Sequence, residues 1–155
     1  MFSRMSDSAS QARLAAVIVL LGSVGAIAGS FLPWISATDP SVGITLTKAG
    51  IDGHYAMLVD LLAVISAGIA GIVLLRGQAQ TPVAVILTVL ALAELGIVIF
   101  VGSNLSRGVA QLEAAGATAG LGIGLYVAAL GAAIAAAGGA FMWIRSRRLE
   151  PSPIP

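Results

Sequence analysis

The chain has 155 residues, of which 58% are hydrophobic and only 10% charged, with a mean hydropathy of +1.01. A soluble domain carries about 25% charged residues, so this composition excludes a water-facing globule, and a net charge of +1 argues against a nucleic-acid partner. The chain contains no cysteine, which excludes disulfides, thioether-attached haem and thiolate metal sites.

The apolar residues come in runs of about 20, the length that crosses a bilayer core, so the sequence predicts a multi-pass membrane protein folded as one domain. Residues 1–13 form a polar N-terminal segment holding Arg4 and Arg13. Residues 14–32 carry no charge and give span one. A cleaved signal peptide is the competing reading, with Ala26-Ile-Ala28 as the cleavage site. The apolar run continues through Phe31-Leu-Pro-Trp34, however, and Gly25-x-x-x-Gly29 suits close helix packing, so span one is retained.

Residues 33–53 make the longest polar connection, in which Pro33 and Pro40 break helix. Gly43-Ile-Thr-Leu-Thr47 alternates and is β-branched, which predicts a short strand able to pair with Trp34-Ile-Ser-Ala37. Span two covers about 54–75 and span three about 82–102, joined by the polar turn 76–82, with Pro82 in a first helical turn. A second polar connection at 103–119 includes a stretch, 109–115, that is compatible with helix. Span four covers about 120–144 and leads into a basic, then Pro-rich tail at 145–155. Trp34, His54 and Tyr55 fall where amphipathic side chains belong at a membrane interface.

The basic residues set an expected orientation. Arg4, Arg13, Arg76, Arg145, Arg147 and Arg148 fall on one side of a four-span layout, and only Lys48 and Arg107 on the other. The positive-inside rule then places both termini in the cytoplasm. Seven of the eight basic residues are Arg, and Ala and Gly are abundant, which points to a GC-rich bacterial genome and hence to a bacterial plasma membrane.

Helix packing within lipid depends on small residues, because lipid tails are as apolar as the helices themselves. Gly116, Gly120, Gly124, Ala128, Ala132, Ala136 and Ala140 recur at every fourth position and are expected to form one packing face of span four. That face serves internal packing, or docking on another membrane protein or a second copy.

Two acids lie inside spans, Asp60 in span two and Glu94 in span three, each about two turns from the outer surface. Asp60 shares a face with Ala56, Ala67 and Gly71 and is expected to point into the bundle, near His54 or Tyr55. Glu94 is offset by about 80° from the Ala84, Thr88, Ala91 face and is expected at its edge. An ionised carboxylate at the bilayer centre costs about 2.5–3.5 kcal/mol on insertion scales. Three roles are open to such acids: bonding to neighbouring polar side chains, a salt bridge to a partner protein, or a proton or cation path. Nothing in the sequence supplies a metal or cofactor site, a nucleophile elbow or a phosphate loop, and no enzymatic activity is expected.

Phe31-Leu-Pro-Trp34 closing span one, with Gly50-Ile-Asp-Gly53 ahead of span two, resembles a broad group of small four-span actinobacterial membrane proteins. The layout is also similar to claudin-like proteins, four spans with strands in the first outer loop, although the paired loop cysteines and the Gly-Leu-Trp signature are missing. The resemblance implies a non-catalytic accessory or scaffold subunit of a larger cell-envelope or respiratory complex. The expected fold is an all-α four-helix membrane bundle with a small β element in the first outer loop. Its partners are membrane lipid and a larger complex or itself, and the alternative function is a small proton or cation transporter using Asp60 and Glu94.

Overall fold

A computed structural model describes residues 2–147, with side chains from residue 9 onward. The tail expected at 145–155 therefore lies outside the described residues from Arg148 on, as does the side chain of Arg4. Four long helices, α1 (Phe2–Phe31), α2 (His54–Arg76), α3 (Thr81–Ala114) and α4 (Ile123–Arg147), are all long and apolar enough to cross a membrane. Each helix packs on the next and α4 closes on α1, giving an up-down-up-down bundle. The ends of α1 and α3 and the starts of α2 and α4 meet a small sheet. The opposite end holds Arg13, Arg76, Arg145 and Arg147.

The sheet has order β2-β1-β3, from β1 (Pro33–Asp39), β2 (Ile44–Ala49) and β3 (Thr118–Leu121), all antiparallel. The expected hairpin forms, with Ser36 opposite Thr47 and Ala37 opposite Leu46. Asp39 builds its turn: Oδ1 accepts from the Ser41 N–H at 2.8 Å and from the Ser41 hydroxyl at 2.6 Å, and Gly43 takes the positive φ of 66° that closes it. β3 is an addition to the expected layout. Thr118-Ala-Gly-Leu121 is too short to show alternation, and Gly120 had been assigned to span four; the Gly122 N–H donates to the Trp34 carbonyl (2.8 Å) and pins the segment to β1.

The α2–α3 turn follows local rules. Gly77 takes the left-handed cap at φ 65°, donating to the Val73 carbonyl at 2.8 Å, and Pro82 sits in the first turn of α3. Span three was expected to end near Gly102, but α3 continues to Ala114. At about 1.5 Å per residue its 34 residues reach about 51 Å, well beyond a core of about 30 Å. The Ser103, Asn104 and Ser106 side chains bond back to carbonyls three or four residues earlier, so the polar stretch keeps its helical pattern. Val101 and Leu105 hold the overhang against the apolar cluster beneath the sheet.

The closest helix pair is α1 with α4. A Cβ added at Gly22 would stand 2.6 Å from the Gly131 carbonyl oxygen, and one at Gly124 would stand 2.6 Å from both the Gly29 and Leu32 carbonyls. Gly131 and Gly138 meet α1 in the same way, against Gly25 and Val19. The α4 contact row is thus Gly124, Ala128, Gly131, Ala135, Gly138, with steps of four and three, rather than the every-fourth stripe. Gly116 lies in the turn before β3 at φ 91° and Gly120 lies in β3, so neither belongs to a helix face. Four-residue steps drift by about 40° each on a helix of 3.6 residues per turn. Ala128 and Ala132 are consequently buried, while Ala136 and Ala140 have turned half out of the core. Gly139, also off the stripe, lets α4 touch α3 at Thr88.

Gly131→Leu is expected to lower the stability of the bundle by about 1–3 kcal/mol or more, because the α1 backbone at Gly22, Gly25 and Ala26 blocks the added side chain. Gly96→Leu, on an exposed site with nothing within 4 Å, serves as the neutral control. Thermal unfolding in mild detergent, read by circular dichroism, checks the pair. The Asp39 turn carries its own signature. The Ser41 bonds hold its carboxyl below the ordinary value of 3.8, so the stabilisation is present above that value and is lost as pH falls through the lowered one. An NMR titration of the Ser41 amide should show a midpoint below 3.8, and Ser41→Ala should raise it.

Candidate functional site

The core has two apolar parts with a polar level between them. At the arginine end, Ala15, Val19, Val73, Leu87 and Met142 cluster with their neighbours. At the sheet end, Ala26, Trp34, Val59, Val98 and Leu125 do the same. Both intramembrane acids and the serines that meet them lie along this core.

Ser30 Oγ stands 2.6 Å from Asp60 Oδ1 and 2.7 Å from the Ile27 carbonyl, so its single proton is divided between two acceptors across the α1–α2 seam. Deeper in, the Ser66 hydroxyl of α2 donates to Glu94 Oε1 of α3 at 3.1 Å. Ser23 follows Ser30 by two turns on the same α1 face. Counting from the Ser30–Asp60 contact at about 1.5 Å per residue, Ser23 lies about 10 Å and Ser66 about 9 Å further into the bundle. Three helices therefore bring Ser23, Ser66 and Glu94 to one level. All three are fully buried, and Ser23 Oγ and Glu94 Oε2 have no protein partner. Thr88, also buried, lies below them and donates to the Ala84 carbonyl at 2.8 Å.

Asp60 is half-buried and turned into the bundle as expected, but it bonds Ser30 rather than lying against His54 or Tyr55. Glu94 is not at an edge: its exposure is 0%. The buried row on α3 is Ala84, Leu87, Thr88, Ala91, Glu94, Val98. A row that steps by three and four follows the neighbouring helices with a period near 3.5, so an offset counted from Ala84 at 100° per residue overstates how far Glu94 has turned away. The two acids sit on different seams, each with its own serine, and no bond links them among the described residues. Among the described residues no cluster of three His, Asp or Glu side chains stands ready for a metal ion.

Trp34 also departs from expectation. It is not an interfacial side chain open to the surroundings but is 4% exposed, its Nε1–H donating to the Gly29 carbonyl at 2.9 Å and its ring filling the space over Gly50. His54 is exposed at the start of α2, and Tyr55 is half-exposed, packed edge-on against Phe100 at 5.9 Å. The serines were the missed residues. Each is a lone hydroxyl in an apolar run, and the seven-residue spacing of Ser23 and Ser30 on one face of α1 is the signal that points to them.

No protein-family model matches the chain, and no curated protein is significantly similar to it.

Ser66→Ala removes the one hydrogen bond to Glu94 and leaves a buried carboxyl with no protein partner, which should lower stability by about 1–3 kcal/mol. Ser30→Ala should cost less, because Asp60 is only half-buried. Denaturation in detergent by both variants, measured side by side, checks that ranking.

Proposed function

We propose that this protein is a non-catalytic accessory or scaffold subunit that binds and stabilises a larger complex in a bacterial plasma membrane. One observation carries the reading. β2 is one edge of the sheet, the other, β3, packing on α3; five of its six residues are exposed, and Val42, Ile44 and Leu46 stand 63%, 56% and 72% exposed outside the apolar spans. An uncovered edge strand with apolar side chains is a template for pairing with another chain, and natural proteins leave one open where a partner covers it. The lipid-facing rows of α2 and α3, with the open glycines Gly68 and Gly96, offer further surface for a neighbouring helix.

Glu94, which could have met a basic residue of a partner, faces Ser66 inside the bundle, so the partner contact is assigned to the β2 edge instead. The arginine-bearing end is taken as cytoplasmic by the positive-inside rule, which leaves Lys48, Arg107 and the sheet outside. On α4 the Arg145 and Arg147 guanidinium groups lie 5.3 and 4.6 Å from the Phe141 and Trp143 rings, an arrangement that suits an interface. The second reading, a proton or cation transporter built on Asp60 and Glu94, draws on the unpartnered oxygens of Ser23 and Glu94. It requires a way past the apolar cluster at the arginine end, where Val19, Ala70, Leu87 and Met142 pack together and the nearby polar groups are Thr88, Ser146 and the Trp143 indole N–H.

A pull-down from native membranes in mild detergent, sized on a native gel, should recover a larger partner at fixed stoichiometry. The double variant Ile44→Lys, Leu46→Lys should weaken that capture at least tenfold, a loss of about 1.4 kcal/mol, while Glu94→Gln should leave it intact. A lone monomer or homo-oligomer from the native membrane, or full capture by the double variant, overturns the proposal.

A further inference from the structure

Beneath the sheet, β1, the end of β2, the segment before α2, the first turn of α2 and α3 line a half-open pocket of about 170 Å³. Its walls are apolar: the Trp34 indole, Ala56 of α2, and Val101 and Leu105 of α3. The indole N–H is already committed to the Gly29 carbonyl, so Trp34 contributes only its ring. Lys48 is the single charged residue of the lining and is itself exposed. Asp52 and His54, its nearest titratable neighbours in the chain on that side, are exposed and do not line the cavity. Tyr55 forms part of the wall while standing 51% exposed, and it rests on Phe100, which is 54% exposed. The lining therefore runs continuously onto aromatic surface at one end of the spans, the level at which such rings meet a bilayer interface.

We propose that this pocket takes up the headgroup-proximal methylenes of an acyl chain of an anionic membrane lipid whose phosphate pairs with Lys48. Three features converge on that occupant. An apolar cavity of about 150 Å³ is enough to admit a benzene-sized hydrocarbon, so this one holds a short stretch of chain beside the headgroup rather than a whole lipid. The wall opens onto lipid-facing side chains, so the ligand arrives from the bilayer without crossing water. Lys48 lines the pocket and is itself exposed, and a lysine so placed can lay its apolar stem on the wall while its ammonium group stays among polar headgroups. A partner protein inserting an apolar side chain is the competing occupant, but it would leave the Lys48 charge without the phosphate that complements it. The site stands independently of the partner-docking reading, because a bilayer alone supplies its ligand.

The test uses the full chain reconstituted in vesicles of equal phosphatidylglycerol and phosphatidylcholine, with one or the other carrying a photoreactive group on the chain carbons next to the glycerol ester. Adducts should concentrate on Val101, Leu105 and Tyr55, with phosphatidylglycerol favoured about fivefold, the preference one basic residue confers at a membrane surface. Lys48→Gln, on an exposed site, should bring the two lipids to equal yield without moving the adducts. Leu105→Trp should fill the pocket and cut those adducts at least tenfold, while labelling of the exposed Leu58 and Ile99 persists and reports an intact bundle. Three results overturn the assignment: adducts spread evenly over lipid-facing residues, a lipid preference indifferent to Lys48→Gln, or a co-purifying polypeptide cross-linked into the cavity in place of lipid.

Discussion

The contact on which this structure depends is backbone against backbone, between α1 and α4. Gly22, Gly25 and Gly29 on one side and Gly124, Gly131 and Gly138 on the other remove the side chains that would hold the axes apart. In lipid no hydrophobic force draws helices together, so the gain comes from dispersion over surfaces that touch along their length. The seam also joins the first helix to the last. Closing it brings Gly122 under β1 and seats β3 beside a hairpin formed more than seventy residues earlier. The sheet is thus a consequence of helix packing as much as of strand propensity.

A bundle shut this tightly leaves little room for polar groups, and their placement is correspondingly informative. Serines handle the two acids individually, Ser30 for Asp60 and Ser66 for Glu94, on separate seams. The arrangement divides the core into an apolar half near the arginines and an apolar half near the sheet, with Ser23, Ser66 and Glu94 between. In a low-dielectric interior a hydroxyl–carboxyl bond fixes the relative register of its two helices, since sliding either by a turn strands both groups. Glycine contacts set how near the helices come, and the serine–acid pairs set their height.

Much of this architecture was legible in the residues. Apolar runs of about 20 gave the four spans, the polar 76–82 stretch with Pro82 marked the α2–α3 turn, and the alternation in Gly43-Ile-Thr-Leu-Thr47 gave the hairpin. What escaped has identifiable causes. The α4 face was traced at a constant four-residue step, whereas helices that pack along their length follow alternating threes and fours, which excludes Ala136 and Ala140 and admits Gly131 and Gly138. Glu94 was placed at an edge for the same reason. β3 has four residues and owes its conformation to a neighbour distant in sequence, so no local pattern announces it. Trp34 looked interfacial because a Trp beside a span end usually is; its burial depends on Gly50 leaving space for the ring, a relation between two loops. The polarity of 103–119 suggested a connection with helix only at 109–115, whereas the helix runs unbroken to Ala114, because composition reports solvent exposure more directly than it reports backbone conformation.

The overhang of α3 has a mechanical meaning. The helix leaves the hydrophobic layer as a continuous rod and carries the wall residues Val101 and Leu105 along its side, with the sheet leaning on it. A rod that projects about 18 Å, the length of its last 12 residues at about 1.5 Å each, converts a 10° change in tilt into about 3 Å of travel at the tip. Bilayer thickness acts on tilt. Because the sheet and the space beneath it lean on that rod, any tilt of α3 is carried to both, from the interfacial pocket to the exposed edge of the sheet.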